Sequence, residues 1–123
     1  MIRGIGVDII EVPRIERAVA RWGEVFLGRV FTEAERHHAG TSPGAPQRLA
    51  GRFAAKEAVM KALGLGWRSM AWREIEIATD LLGKPVVRLS GRAATAAHRL
   101  GVGAWLVSIS HTRRLAIAQA LAE

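Results

Sequence analysis

"QRLAGRFAAKEAVMKAL", residues 47–63, carries the strongest helix signal in the chain, being rich in alanine and closed by Gly64. At about 100° per residue, Leu49, Phe53, Met60 and Leu63 form an apolar stripe. Lys56 projects into the middle of that stripe, Arg52 lies on one flank, and Glu57 lies on the other beside Phe53. A core-facing helix ordinarily keeps its charges on the opposite side, so these ask for a reason. Two ordinary reasons exist. Glu57 and Lys61 stand i,i+4 in the favourable order for a surface pair worth about 0.3–0.5 kcal/mol. The stems of Arg52 and Lys56 can also cover apolar surface while their heads reach water.

A second embedded acid shifts the balance. "GIGVDIIEV", residues 4–12, reads as an apolar strand except for Asp8 at its centre. Alternation puts Ile5, Val7 and Ile9 on one face and Gly4, Gly6, Asp8 and Ile10 on the other. A carboxylate in such a run needs a cation or a donor. Gly4 and Gly6 share its face, and their missing side chains are expected to leave room there for a cation and its phosphate. If Asp8 and Glu57 converge among arginines and lysines, they suit a hard divalent cation that carries phosphate oxygens.

Outward from these segments the chain reads as one domain over residues 1–123. Pro13 suits the first turn of a helix, and Ile15, Val19 and Trp22 recur at helical spacing until Gly23. Arg14, Arg17 and Arg21 fall together on another side of it. "TEAE", 32–35, is a capping-box start with Thr32 as cap and Glu35 at N3. "GTSPGAP", 40–46, is expected to be a mobile loop. "REIEIAT" alternates as a strand, and "DLLGK" is a hairpin turn into "PVVRLS". Ser90 can cap an Ala-rich helix to Leu100, closed by Gly101. "VGAWLVSIS" and "LAIAQALA" are two strands joined by a turn at His111–Arg114. The expected fold is α+β, a small antiparallel sheet packed with helices in the order β-α-α-α-β-β-α-β-β.

Composition narrows the function. Hydrophobic content of 50% and mean hydropathy of +0.13 mark a folded protein rather than a disordered one. Cysteine is absent, which removes disulfides and thiol chemistry. In "MIRGIGVDII" a strand-like run with an acid stands where a signal peptide would have its apolar core, and no apolar stretch is long enough to span a bilayer. A cytoplasmic protein without membrane contact is expected. Net charge is +7, from 18 Lys+Arg against 11 Asp+Glu, which favours polyanionic partners. Three Phe, four Trp and no Tyr supply little for base stacking, which weighs against a nucleic-acid module.

"GIGVDIIEVPRI", "RFAAKEAVMKALG", "LLGKPVVRL" and "VSISHT" resemble, in order and spacing, the holo-[acyl-carrier-protein] synthases, the small 4′-phosphopantetheinyl transferases of bacterial fatty acid synthesis. The resemblance covers Ile5 to about Ala118, and "RFAAKEA" behind an Asp-bearing first strand is its most specific part. It implies that the phosphopantetheine arm of coenzyme A passes to a serine of apo acyl carrier protein, with 3′,5′-ADP leaving and Mg²⁺ required. It carries the metal over to Asp8 and Glu57, and a pyrophosphate contact over to Lys61, the three forming the catalytic set. His111 matches a histidine near coenzyme A, and the hairpin with Lys84 and Pro85 lies near the nucleotide. Together with Arg52, Lys56 and Lys61 these make up the expected coenzyme A contacts. Arg14 matches a carrier-protein contact, with Arg17 and Arg21 on the same helix to steer an acidic partner. Family members are typically homotrimers with sites at subunit interfaces.

Phosphoryl transfer needs positioning and neutralised charge more than covalent chemistry by the protein. A base must take the serine proton, and Glu57 and a metal-bound water both qualify. Larger relatives have a further acid at the position of Ile10, so two protein ligands are expected here. Arg113 and Arg114 follow His111 and add charge near the nucleotide, solvated turn arginines being the plainer reading. His37, His38 and His98 are expected to be surface residues without a site. Two rival functions are a non-catalytic coenzyme A- or nucleotide-binding subunit and a basic nucleic-acid-binding module.

Overall fold

The computed structural model describes all 123 residues, the side chain of Trp67 excepted. Strand β1 (Gly4–Glu11) runs directly into helix α1 (Val12–Trp22), where Pro13 occupies the first turn. Two short helices follow, α2 (Glu24–Val30) and α3 (Glu33–Ala39), then the long α4 (Ala45–Leu63). A hairpin of β2 (Ile75–Thr79) and β3 (Pro85–Leu89), helix α5 (Gly91–Arg99), and strands β4 (Trp105–His111) and β5 (Leu115–Ala122) complete the chain. The class is α+β, as expected. The order differs by one element, since α2 was not anticipated: "EVFLGRV" starts without a side-chain cap and carries Gly28 in its interior.

The strands form two antiparallel sheets, one in the order β1-β5-β4 and the other the β2–β3 hairpin. In the first, Asp8 stands opposite Ala118, and Ala118 opposite Ile109. Helix α4 lies on this sheet, chiefly across β1 and β5. Small residues make the approach close. A Cβ on Gly6 would sit 1.8 Å from the Ala58 carbonyl oxygen, and one on Gly4 would sit 2.0 Å from that of Ala62. This overturns the expectation that these glycines leave room for a cation: α4 backbone fills the space, and Gly4 and Gly6 are what let it do so.

Nor does α4 have a single apolar stripe. Leu49, Ala50, Ala54, Ala55, Ala58, Val59, Met60, Ala62 and Leu63 are all buried, while Phe53 is only partly so, because sheet, hairpin and helices surround it. It is the central helix of the fold. The segment expected as a loop over 40–46 bends and turns over residues 41–44 and enters α4 at Ala45, with the Arg48 guanidinium bonded to the Ala39 carbonyl at 2.9 Å.

The outer face of the three-stranded sheet is apolar and open. Ile5, Val7 and Ile9 on β1 are 58%, 51% and 60% exposed, and Leu106, Leu115 and Ile117 continue the patch. No helix among the described residues is long and apolar enough to cross a membrane.

Candidate active site

Period-two alternation turns Asp8 toward α4, where its side chain keeps 18% exposure. From that helix Lys61 reaches across. Its Nζ donates to the Val7 carbonyl at 3.0 Å and meets Asp8 Oδ1 at 3.3 Å. Lys61 therefore pairs with the acid on the strand and not with Glu57 one turn away. Glu57 is partly buried on the same side. Burial, then the negative charge of Asp8, pushes its pKa up, while Lys61 and Arg14 pull it down. Two acids and two bases from β1, α1 and α4 thus share one field. Asp8, Glu57, Lys61 and Arg14 come together where the strand passes into α1.

Among the described residues no group of three or more His, Asp or Glu side chains converges, so no site is built of protein ligands alone. The donor set is two carboxylates, one of them held at raised proton affinity by burial and by the charge of the other. That fits a hard divalent ion which keeps waters and substrate oxygens in its shell, as Mg²⁺ does.

Lys56 does not belong to this cluster, contrary to expectation. It is fully buried, with Nζ 2.8 Å from Glu35 Oε1 and bonded to the carbonyls of Trp72, at 3.1 Å, and Ile75. All three donors are thereby engaged. Burial pushes its pKa down, and Glu35 opposes that. Glu35 is equally committed. Its Oε1 closes the Thr32 capping box at 2.8 Å and its Oε2 accepts the Ile77 amide at 2.8 Å, so one carboxylate ties α3 and α4 to β2. A lysine so enclosed cannot reach a phosphate.

Arg52 is also buried, yet less completely satisfied. It donates to Thr79 Oγ1 at 3.0 Å and to Arg48 O at 3.4 Å, and it lies 2.8 Å from His38 Nδ1, while its Nε has no partner. Desolvation, then the charges of Arg52 and Arg48, push the His38 pKa down. His38 is thus solvent-exposed, as expected of it, but paired. Sequence spacing gave no sign of this, because the partners come from different helices.

His111 ends β4 and lines a groove of about 480 Å³ with Gly44, Gln47, Arg48, Thr112 and Arg113. Gln47 Nε2 donates to the Arg113 carbonyl at 3.2 Å, which fixes the turn. This groove does not include Asp8 or Glu57. The nine positions from Arg48 to Glu57 rotate the helix by about half a turn beyond two full ones. The two features therefore flank α4 on opposite sides. Lys84, exposed at the hairpin base, lies beside Leu106, Ser108 and Gln119, with Pro85 opening β3 after it. Arg14, Arg17 and Arg21 are all exposed along α1, and the Arg21 guanidinium stacks 4.9 Å from the exposed Trp22 ring.

A small α+β enzyme fold with two acids and a lysine at a strand–helix junction defines the class, and comparison places it. The chain belongs to the 4'-phosphopantetheinyl transferase superfamily, whose family model matches residues 4–119. Within it, the holo-[acyl-carrier-protein] synthase of Gloeobacter violaceus is 48% identical over 115 residues, covering 93% of this chain and 87% of the relative. The crystal structure of the holo-[acyl-carrier-protein] synthase from Neisseria meningitidis superposes with a TM-score of 0.90 at 35% identity, over 100% of this chain and 99% of that one. The synthase from Bacillus anthracis, solved in complex with CoA (3',5'-ADP), gives a TM-score of 0.82 at 37% identity, over 100% and 97%.

Proposed function

We propose that this chain is a holo-[acyl-carrier-protein] synthase: it transfers the 4′-phosphopantetheine arm of coenzyme A to a serine hydroxyl of apo acyl carrier protein and releases 3′,5′-ADP. The observation that carries this reading is the meeting of Asp8, from the first strand, with Glu57 and Lys61, from the central helix. The serine oxygen attacks the phosphorus that bears the pantetheine arm, and the bond from that phosphorus to the bridging oxygen of the diphosphate breaks. The serine proton passes to a base, and Glu57 is the carboxylate that this chain sets beside Asp8 and Lys61 there. Lys61 holds positive charge where the leaving phosphate gains negative charge. Asp8 and Glu57 are the residues that would hold Mg²⁺, which supplies Lewis-acid polarisation of the phosphoryl oxygens when bound.

Coenzyme A reaches the site with His111, Arg113 and Lys84 as its nucleotide contacts. Because α4 divides His111 from Asp8, a single coenzyme A draws these groups from two copies of the chain. The assembly is a homotrimer, supported by the uncovered apolar face of the three-stranded sheet. Arg14, Arg17 and Arg21 receive the acidic carrier protein in the cytoplasm. The test is direct. Apo carrier protein incubated with the chain, coenzyme A and Mg²⁺ should gain the mass of one phosphopantetheine arm, and chelation should stop the gain. No mass change would refute the assignment.

A further inference from the structure

A second concavity lies on the far side of the molecule's central helix. It encloses about 460 Å³ between the end of α4, the segment that follows it, and one face of α5, with Leu63, Leu65, Ala96 and Leu100 as its apolar lining. Leu63 lies two positions beyond Lys61, about 200° around the helix, so the cavity opens away from the acid cluster. Arg92, Thr95, Ala96 and Arg99 follow at i, i+3, i+4 and i+7 and present one face of α5 to it. Two guanidiniums therefore stand at the rim two turns apart, about 10 Å along the axis.

Their charges are unequally compensated. Glu74 faces Arg92, with Nε 3.7 Å from Oε1, and its oxygens also accept the Ala71 and Arg92 amides. Arg99 has no hydrogen-bond or ion-pair partner among the described residues. The cavity thus combines an apolar floor, one unneutralised cation and the hydroxyls of Ser69 and Thr95. Its volume falls within the range of small-molecule sites.

We propose that this cavity binds a small amphiphile with an anionic head group, its alkyl or acyl tail lying along Leu63, Leu65 and Leu100 and its head meeting Arg99. The site lies apart from the groups assigned to phosphopantetheine transfer, so its occupancy is read by binding and not by turnover.

Calorimetric titration of the full-length protein with dodecanoate, kept below its micelle concentration, tests this. One dodecanoate per chain is expected, with a rise in Tm, whereas acetate (head without tail) and dodecyltrimethylammonium (tail with opposite charge) should not bind. Arg99→Gln should weaken dodecanoate about tenfold, the loss of one charge-assisted contact. Ala96→Phe, which fills the floor, should remove binding. Both variants should melt near the parent and keep its transferase rate. Equal binding of the cationic amphiphile, or undiminished dodecanoate binding in Arg99→Gln, overturns the proposal; so does undiminished binding in a folded Ala96→Phe.

Discussion

Lys56 and Lys61 occupy the same helix, and each meets a carboxylate, yet they serve different ends. The Lys56–Glu35 pair is sealed: both side chains are at 0% exposure, and every donor and acceptor is used within the chain. The Lys61–Asp8 pair is open, with Lys61 at 54% exposure, and beside it Glu57 is held at raised proton affinity by burial and by the charge of Asp8. A closed polar network specifies how α3, α4 and β2 fit together. An open one, with its charged groups in reach of solvent, is a place where something else can bind. Charge alone does not separate structural from functional lysines; completeness of pairing does.

The comparison breaks most visibly at Lys56. Lys56→Met leaves Glu35 buried without its cation and should lower stability by about 3–5 kcal/mol in denaturant titration, with much of that recovered in Lys56→Met/Glu35→Leu. At the open cluster the same kind of change should leave the fold intact. Asp8→Asn and Glu57→Gln should each reduce transfer by about 100-fold or more, measured by carrier-protein mass gain, with melting close to the parent's. If Glu57→Gln kept its rate, the open cluster would lose its functional reading. Gly6→Ala tests the surface on which both pairs rest: the methyl meets the Ala58 carbonyl, and a loss of about 1–3 kcal/mol is expected from the forced shift of α4. Arg17→Ala should raise the apparent KM for carrier protein a few-fold and flatten its salt dependence, leaving kcat alone.

The smallest effect is a pH dependence. Glu57 has a raised pKa in the folded protein, so the native state binds this proton more tightly than the unfolded chain does. Its contribution is therefore full below the ordinary carboxylate range and is lost as pH rises through the folded value. Metal-free Glu57→Gln should match the parent's Tm in acid and exceed it slightly at neutral pH. An advantage that shrank with rising pH would contradict the direction of the shift.

Much of this was legible in the sequence where one element decides the outcome. Asp8 could be assigned to a face by alternation, Thr32 and Glu35 announced their capping box, and Pro13 marked the start of α1. What failed depended on partners that only the tertiary fold supplies. A helical wheel sets Lys56 in the middle of the apolar stripe but gives no hint that Glu35 arrives from α3 to neutralise it and enclose its head. The same wheel expected a stripe on a helix that is in fact surrounded. Gly4 and Gly6 were read as a gap because sequence shows the missing side chain and not the backbone that moves into its place. In the site, Asp8, Glu57 and Lys61 came together as expected, and Arg14 joined them by electrostatic contact with Glu57.

The pairing of the sheet bears on how the molecule is made. Among the strands β1 pairs with β5 alone, with Gly4 opposite Ala122 and Glu11 opposite Leu115. The strand that bears Asp8 therefore leaves the ribosome well before β5 and waits, unpaired, until that neighbour is synthesised. Closing so long a loop is slow, and an apolar edge left open meanwhile is exposed to association. Nascent chains halted before Leu115 should hold the helices without a settled first strand, and Asp8 would find its place only once β5 has emerged.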